Sequence, residues 1–121
     1  MPPYVTNPLT VSEEEDKCRL ILDLRHVNVH IPKEYVRYDD WRIFNIFLEE
    51  NGWAYKFDLK SGYHHIDVNE TSQQNLGFSC EIQGVIRYFL FTVLPFGLMS
   101  APRIFTKVLR PLSTYWRSQF S

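Results

Sequence analysis

Cysteine is scarce in this chain, which has only Cys18 and Cys80. Two thiols without metal-ligand spacing exclude a disulfide framework and a cysteine-built zinc site, so a reducing compartment is expected. Net charge is scarce too: 13 Lys and Arg against 14 Asp and Glu leave −1. A self-sufficient nucleic-acid binder carries a basic face. The balance therefore argues against that class, though not against a catalytic segment whose basic parts lie elsewhere. Long apolar runs are missing, and none approaches the roughly 20 residues of a membrane span. Met1-Pro2-Pro3-Tyr4 opens no signal peptide. The expectation is a protein of the cytoplasm or nucleus with no membrane partner. Internal repeats and low-complexity segments are absent as well.

What is present is a globular composition. The 121 residues are 45% apolar and 16% aromatic, enough for one domain or a piece of one. Residues 1–16 read as an extended lead-in, with Pro2, Pro3 and Pro8 and then a solvated acidic turn, Glu13-Glu14-Glu15-Asp16. Arg19 to Leu24 is dense in branched apolar residues and predicts a strand. From Asp39 or Asp40 the spacing of Trp41, Ile43, Phe44, Ile46, Phe47 and Leu48 predicts a helix that Gly52 stops. The acids of Tyr38-Asp39-Asp40 suit that helix as caps better than they suit catalysis.

Trp53 to Asp58 then predicts a short strand, and Lys60 to His65 a helical turn. His64 and His65 are adjacent, so a regular strand would point them to opposite faces, and packing is the expectation for both. Residues 76–80 and 85–93 flank Glu81-Ile82-Gln83-Gly84 as a hairpin. Leu94-Pro95-Phe96-Gly97 breaks the second strand. Ser100 to about Phe120 is a helix, with Ile104, Phe105, Val108, Leu109 and Leu112 on its apolar face. Pro111 falls inside that pattern and predicts a kink or an early stop.

Asp58 is the residue with chemistry in prospect. It ends an apolar run and opens a turn carrying Ser61, Gly62 and Tyr63. Such a carboxylate can hold a divalent cation over a phosphate, since hard cations take oxygen ligands, commonly one or two carboxylates plus substrate phosphates. An Asp at this kind of junction also serves as an N-cap. Taken alone, the residues leave both roles open.

Two stretches together go further. Phe57-Asp58-Leu59-Lys60-Ser61-Gly62-Tyr63-His64-His65-Ile66 and Leu94-Pro95-Phe96-Gly97-Leu98-Met99-Ser100-Ala101-Pro102-Arg103-Ile104-Phe105 resemble the first two palm motifs of retroelement reverse transcriptases. Upstream, Arg19 to Asn28 is similar to the fingers strand of the same family. The three segments occur in family order, and the resemblance spans residues 17–118. The Phe57–Ile66 wording and the run from Phe105 to Leu112 most resemble the tyrosine-recombinase-type (DIRS-like) retrotransposons.

The resemblance implies an α+β fold: a partial right-hand polymerase of fingers and palm, with an incomplete ferredoxin-like palm sheet packed on helices. Residues 17–121 would be the N-terminal part of a reverse transcriptase domain. It implies template-directed nucleotide addition with two Mg2+ or Mn2+ ions, and RNA/DNA template-primer and dNTP as partners. Asp58 would ligate both metals with help from the Leu59 carbonyl, and Tyr63 would exclude a ribose 2′ hydroxyl. Arg19 would grip the triphosphate, Lys17 would assist, and Phe96 and Gly97 would touch the nucleotide. Asp23, Arg25 and Asn28 would contact template or lock the fingers fold. The family's later Tyr/Phe-x-Asp-Asp hairpin is not in this sequence, so activity would need the remainder of a polyprotein. The second reading is a truncated or domesticated open reading frame without catalysis, acting at most as a nucleic-acid or protein binding module.

Overall fold

The computed structural model describes residues 3–120. Its elements are a mixture of helices and antiparallel strands, so the fold is α+β. Strands β1 (Leu9–Glu14) and β2 (Lys17–Leu22) form one hairpin, and β3 (Gly77–Ile82) and β4 (Val85–Leu90) a second. Helices α1 (Arg25–Asn28), α2 (Trp41–Phe47), α3 (Glu70–Gln73) and α4 (Ala101–Phe120) are joined by a 3-10 turn at Gly62–His65.

The acidic run is not a free turn. Glu13 and Glu14 pair in register with Cys18 and Lys17, leaving only Glu15-Asp16 to reverse the chain. The lead-in likewise is part of the packed structure. Thr6 bridges to Gly77, and buried Asn7 donates its side-chain amide to the carbonyls of Asn75 (2.9 Å) and Gly77 (3.0 Å). A polar side chain taken out of water needs such partners, and Asn7 has them. The second hairpin closes through Gln83 (φ 53°) and Gly84 (φ 77°), consecutive left-handed residues as a two-residue turn requires.

A small core gathers where these pieces meet. Leu22, Leu24 and Leu76 are buried against Leu9, Val27, Val68, Phe78, Phe91 and Leu98. Each buried Leu stabilises the fold by about 2 kcal/mol. Outside this core many large apolar side chains face solvent, Tyr35 and Trp53 completely.

Three expectations about elements need correction. Helix α2 starts where foreseen, with the Asp40 carboxylate accepting from the amides of Arg42 (2.9 Å) and Ile43 (3.3 Å). It ends at Phe47, however, well before Gly52, because Leu48 already adopts an extended backbone (ψ 127°). Residues 53–59 form no strand. A strand needs a ladder partner, and no described residue pairs with this segment. Helix α4 runs through Pro111 without stopping. Pro111 and Lys107 are both exposed, so water can satisfy the Lys107 carbonyl that the missing amide leaves free.

Candidate functional site

The polypeptide turns at Lys60 and Ser61, just after Asp58. Ser61 takes a left-handed backbone (φ 54°), the His64 amide donates to the Ser61 carbonyl at 2.9 Å, and a His65 ring nitrogen lies 2.9 Å from the Lys60 carbonyl. Tyr63 is thereby carried on a short, internally bonded turn. Gly62 lets α4 approach this turn, since a Cβ there would come within 2.9 Å of the Phe105 ring.

A second connection brings the Leu94–Gly97 loop alongside. The Val68 amide donates to the Thr92 carbonyl at 2.8 Å, and the Leu94 amide to the Ile66 carbonyl at 3.0 Å. On its other side the loop meets β2, where the Leu22 amide donates to the Phe96 carbonyl at 3.1 Å. Gly97 has φ 104°, and a Cβ at that position would stand 2.1 Å from the Leu22 carbonyl oxygen. The close approach that demands glycine here is to the β2 backbone.

These constraints place the Phe96 ring at a crossing point. Its centroid is 5.2 Å from that of Tyr63 and 5.7 Å from that of His64, and the Arg19 guanidinium lies over it at 5.8 Å. Tyr63 also makes an edge contact with Phe105 at 5.3 Å. Burial raises the Tyr63 phenol above its ordinary pKa, with a smaller contribution from Tyr38. Next to this cluster is a concavity of about 280 Å³ lined by Phe57, Asp58, Leu59, Gly62, Tyr63, Phe96, Phe105 and Leu109. It is an apolar cup with Asp58 as its one carboxylate.

Five of the residues singled out in the sequence therefore converge: Arg19, Asp58, Leu59, Tyr63 and Phe96. Gly97 shares the loop. Lys17 stands apart at the hairpin tip, opposite Glu14. Arg19 is within 3.7 Å of Glu14, a solvent-exposed ion pair of little energetic weight. Asp23 and Arg25 engage each other through a forked pair with contacts of 2.8 and 2.6 Å. The Arg25 side chain, and then its backbone amide, hold the Asp23 carboxyl below the usual carboxylate range. Asn28 bonds the Gly97 carbonyl and the Met99 amide, each at 2.9 Å. Phe105 and Leu109 were legible only as part of an apolar helix face; their four-residue spacing was the available sign that they line one wall together.

Among the described residues no three His, Cys, Asp or Glu side chains converge as a metal-binding group. One carboxylate cannot hold two dications roughly 3.5–4 Å apart. The side chains present thus do not fit a two-ion centre by themselves, and Asp58 with the Leu59 carbonyl is at most a share of one.

Fold and site define a mixed α+β domain in which an Asp-bearing turn, a Leu-Pro-Phe-Gly loop and an Arg-bearing hairpin strand meet at an apolar cup. Residues 12–121 match the family described as reverse transcriptase (RNA-dependent DNA polymerase), and the chain belongs to that family. Divalent metal ions serve that family generally. The chain is similar to a retrovirus-related Pol polyprotein from transposon 412 of Drosophila melanogaster. That match is 35% identical and covers 81% of this chain and 8% of the relative. It is also similar to a putative enzymatic polyprotein of Cassava vein mosaic virus, at 28% identity over 89% of this chain and 16% of the relative. The retrovirus-related Pol polyprotein from transposon opus of the same fly is 34% identical over 78% of this chain and 9% of its own length. The chain therefore spans between 8% and 16% of the length of these relatives. No helix among the described residues is long and apolar enough to cross a membrane.

Proposed function

We propose that this chain forms the nucleotide-facing fingers and early palm of a retroelement RNA-directed DNA polymerase, working within a longer polyprotein on a template-primer and dNTP. The observation that carries the reading is the Phe96 ring, which has the Arg19 guanidinium over it and Tyr63 at 5.2 Å, beside the cup that holds Asp58. Three segments far apart in sequence supply a cation, two aromatic faces and a carboxylate to one place. Those are the chemical needs of a bound nucleoside triphosphate.

In this reading Arg19 pairs with the triphosphate, for which a guanidinium fork is well shaped. Phe96 packs against the sugar, and the half-buried Tyr63 ring closes the space that a ribose 2′ hydroxyl would need. Asp58 and the Leu59 carbonyl are this chain's contribution to binding Mg2+ or Mn2+, which neutralise charge as the phosphoryl group transfers. The remaining ligands come from elsewhere in the polyprotein. Gly97 shares the nucleotide loop in this reading, Lys17 at the hairpin tip is set apart from it, and Asp23 and Arg25 contact template or lock the fingers fold. The wording of Phe57–Ile66 and Phe105–Leu112 supports membership of the tyrosine-recombinase-type retrotransposons, testable by finding a tyrosine recombinase reading frame in the same element.

The experiment is primer extension by the polymerase that carries this segment together with its downstream sequence. Asp58→Asn is isosteric and is expected to abolish extension while circular dichroism stays unchanged. Retained extension would remove Asp58 from the chemistry.

A further inference from the structure

Asn28 joins two places that the chain keeps 69 residues apart. Its Nδ2 donates to the Gly97 carbonyl at 2.9 Å and its Oδ1 accepts from the Met99 amide at 2.9 Å. The side-chain amide thus pairs with the loop as a strand would, giving and taking one bond each. Asn is suited to this because one planar group holds both a donor and an acceptor, whereas an Asp carboxylate only accepts.

The anchor of this clamp is firm. Asn28 closes α1, and its own backbone amide donates to the carbonyl of Leu24 at 2.7 Å, a residue buried in the core. From the opposite direction the Leu22 amide holds the Phe96 carbonyl at 3.1 Å. The loop is therefore gripped at residue 96 by β2 and at residues 97 and 99 by Asn28. With the second grip gone, the peptides on either side of Gly97, whose φ is 104°, keep only the Leu22 bond before them and Leu98 after them. The Phe96 ring is then expected to be held less sharply relative to Tyr63 and Arg19.

We infer that Asn28 is a positioning residue: it sets the Phe96–Gly97 loop, and through it the aromatic face offered to the incoming nucleotide, and is not a reader of template. The inference rests on the nucleotide-pocket reading above for its functional half, while the clamp itself stands on geometry alone. Both polar ends of the side chain are already engaged on the loop, which is the arrangement of a brace.

Two measurements test it. In the 121-residue chain, Asn28→Ala is expected to speed hydrogen exchange of the Met99 amide about tenfold, while Asn28→Asp, which keeps the acceptor, retains most of the protection. In the polymerase carrying this segment, both variants are expected to raise the dNTP KM about five- to tenfold, with template-primer Kd within about twofold of the parent. Unchanged Met99 exchange in Asn28→Ala would overturn the clamp. Weakened template-primer binding with an unchanged dNTP KM would overturn the positioning role in favour of template contact. Should Asn28→Ala fail to fold, the KM against Kd split in Asn28→Asp decides the matter by the same criterion. A parent polymerase with no extension activity would sink the nucleotide reading and leave the exchange result to judge the clamp separately.

Discussion

The ring centroids of Tyr63 and Phe96 lie 5.2 Å apart with their planes tilted by 38°. Neither residue is held there by the other alone. Tyr63 rides on a turn closed by bonds from His64 and toward Lys60, and Phe96 on a loop tied to Leu22. An offset, tilted pair of this kind contributes about 0.5–1.5 kcal/mol beyond its buried area. Its larger effect is to fix one wall of the cup that contains Asp58.

Gly97→Ala tests the tie between this loop and β2. The added methyl meets the Leu22 carbonyl, and the φ of 104° strains any L side chain. Backbone strain alone costs about 1–3 kcal/mol, and the steric overlap adds to it. A lower denaturation midpoint and loss of the Leu22 amide's exchange protection are expected. A variant as stable as the parent, with that protection intact, would contradict the described packing.

Asp40→Ala tests the start of α2. Two amides lose their acceptor, and a cap of this type contributes about 1 kcal/mol. Helical signal and thermal midpoint should both fall. Asp39→Ala breaks the exposed ion pair with Arg117 and should change stability by less, because solvent screens it.

The Asp23 carboxyl gives a pH signature. Its pKa is depressed in the folded chain chiefly by the Arg25 side chain. The pair therefore stabilises the fold above the unfolded carboxylate value of about 3.9, and that stabilisation is lost as pH falls through the lower folded value. Arg25→Gln should move the Asp23 titration upward in an NMR titration of carboxyl carbons. A titration that does not move would remove Arg25 as the cause.

Much of this arrangement was legible in the residues, and the gaps have physical causes. The cap at Asp40, the Gln83-Gly84 reversal and the α4 face rest on local chemistry, so short windows of sequence carry them. The strand foreseen at Trp53–Asp58 did not form because strand structure depends on a partner, which no local window contains. The extended lead-in reads as unpaired because the glutamates of Leu9–Glu14 resemble solvent-exposed turn residues, yet in a hairpin their side chains face water while the backbone pairs. Pro111 predicts a kink or an early stop, and the stop does not occur because Pro111 and Lys107 lie on the exposed side of the helix. The convergence of Arg19, Asp58, Tyr63 and Phe96 followed from family motifs, but the brace by Asn28 spans distant segments and had no local sign.

The most direct test of the nucleotide pocket is substrate selection by Tyr63. In the polymerase carrying this segment, the ratio of kcat/KM for a deoxynucleotide over the matching ribonucleotide is measured for the parent and for Tyr63→Val. In the proposed pocket the ring beside Phe96 excludes a 2′ hydroxyl, so removing it should lower that ratio by at least about tenfold, mostly through faster ribonucleotide use, a change of roughly 1.4 kcal/mol in selectivity. A ratio unchanged in a folded, active Tyr63→Val enzyme would show that the ring only packs, and would contradict the assignment of this face to the incoming sugar.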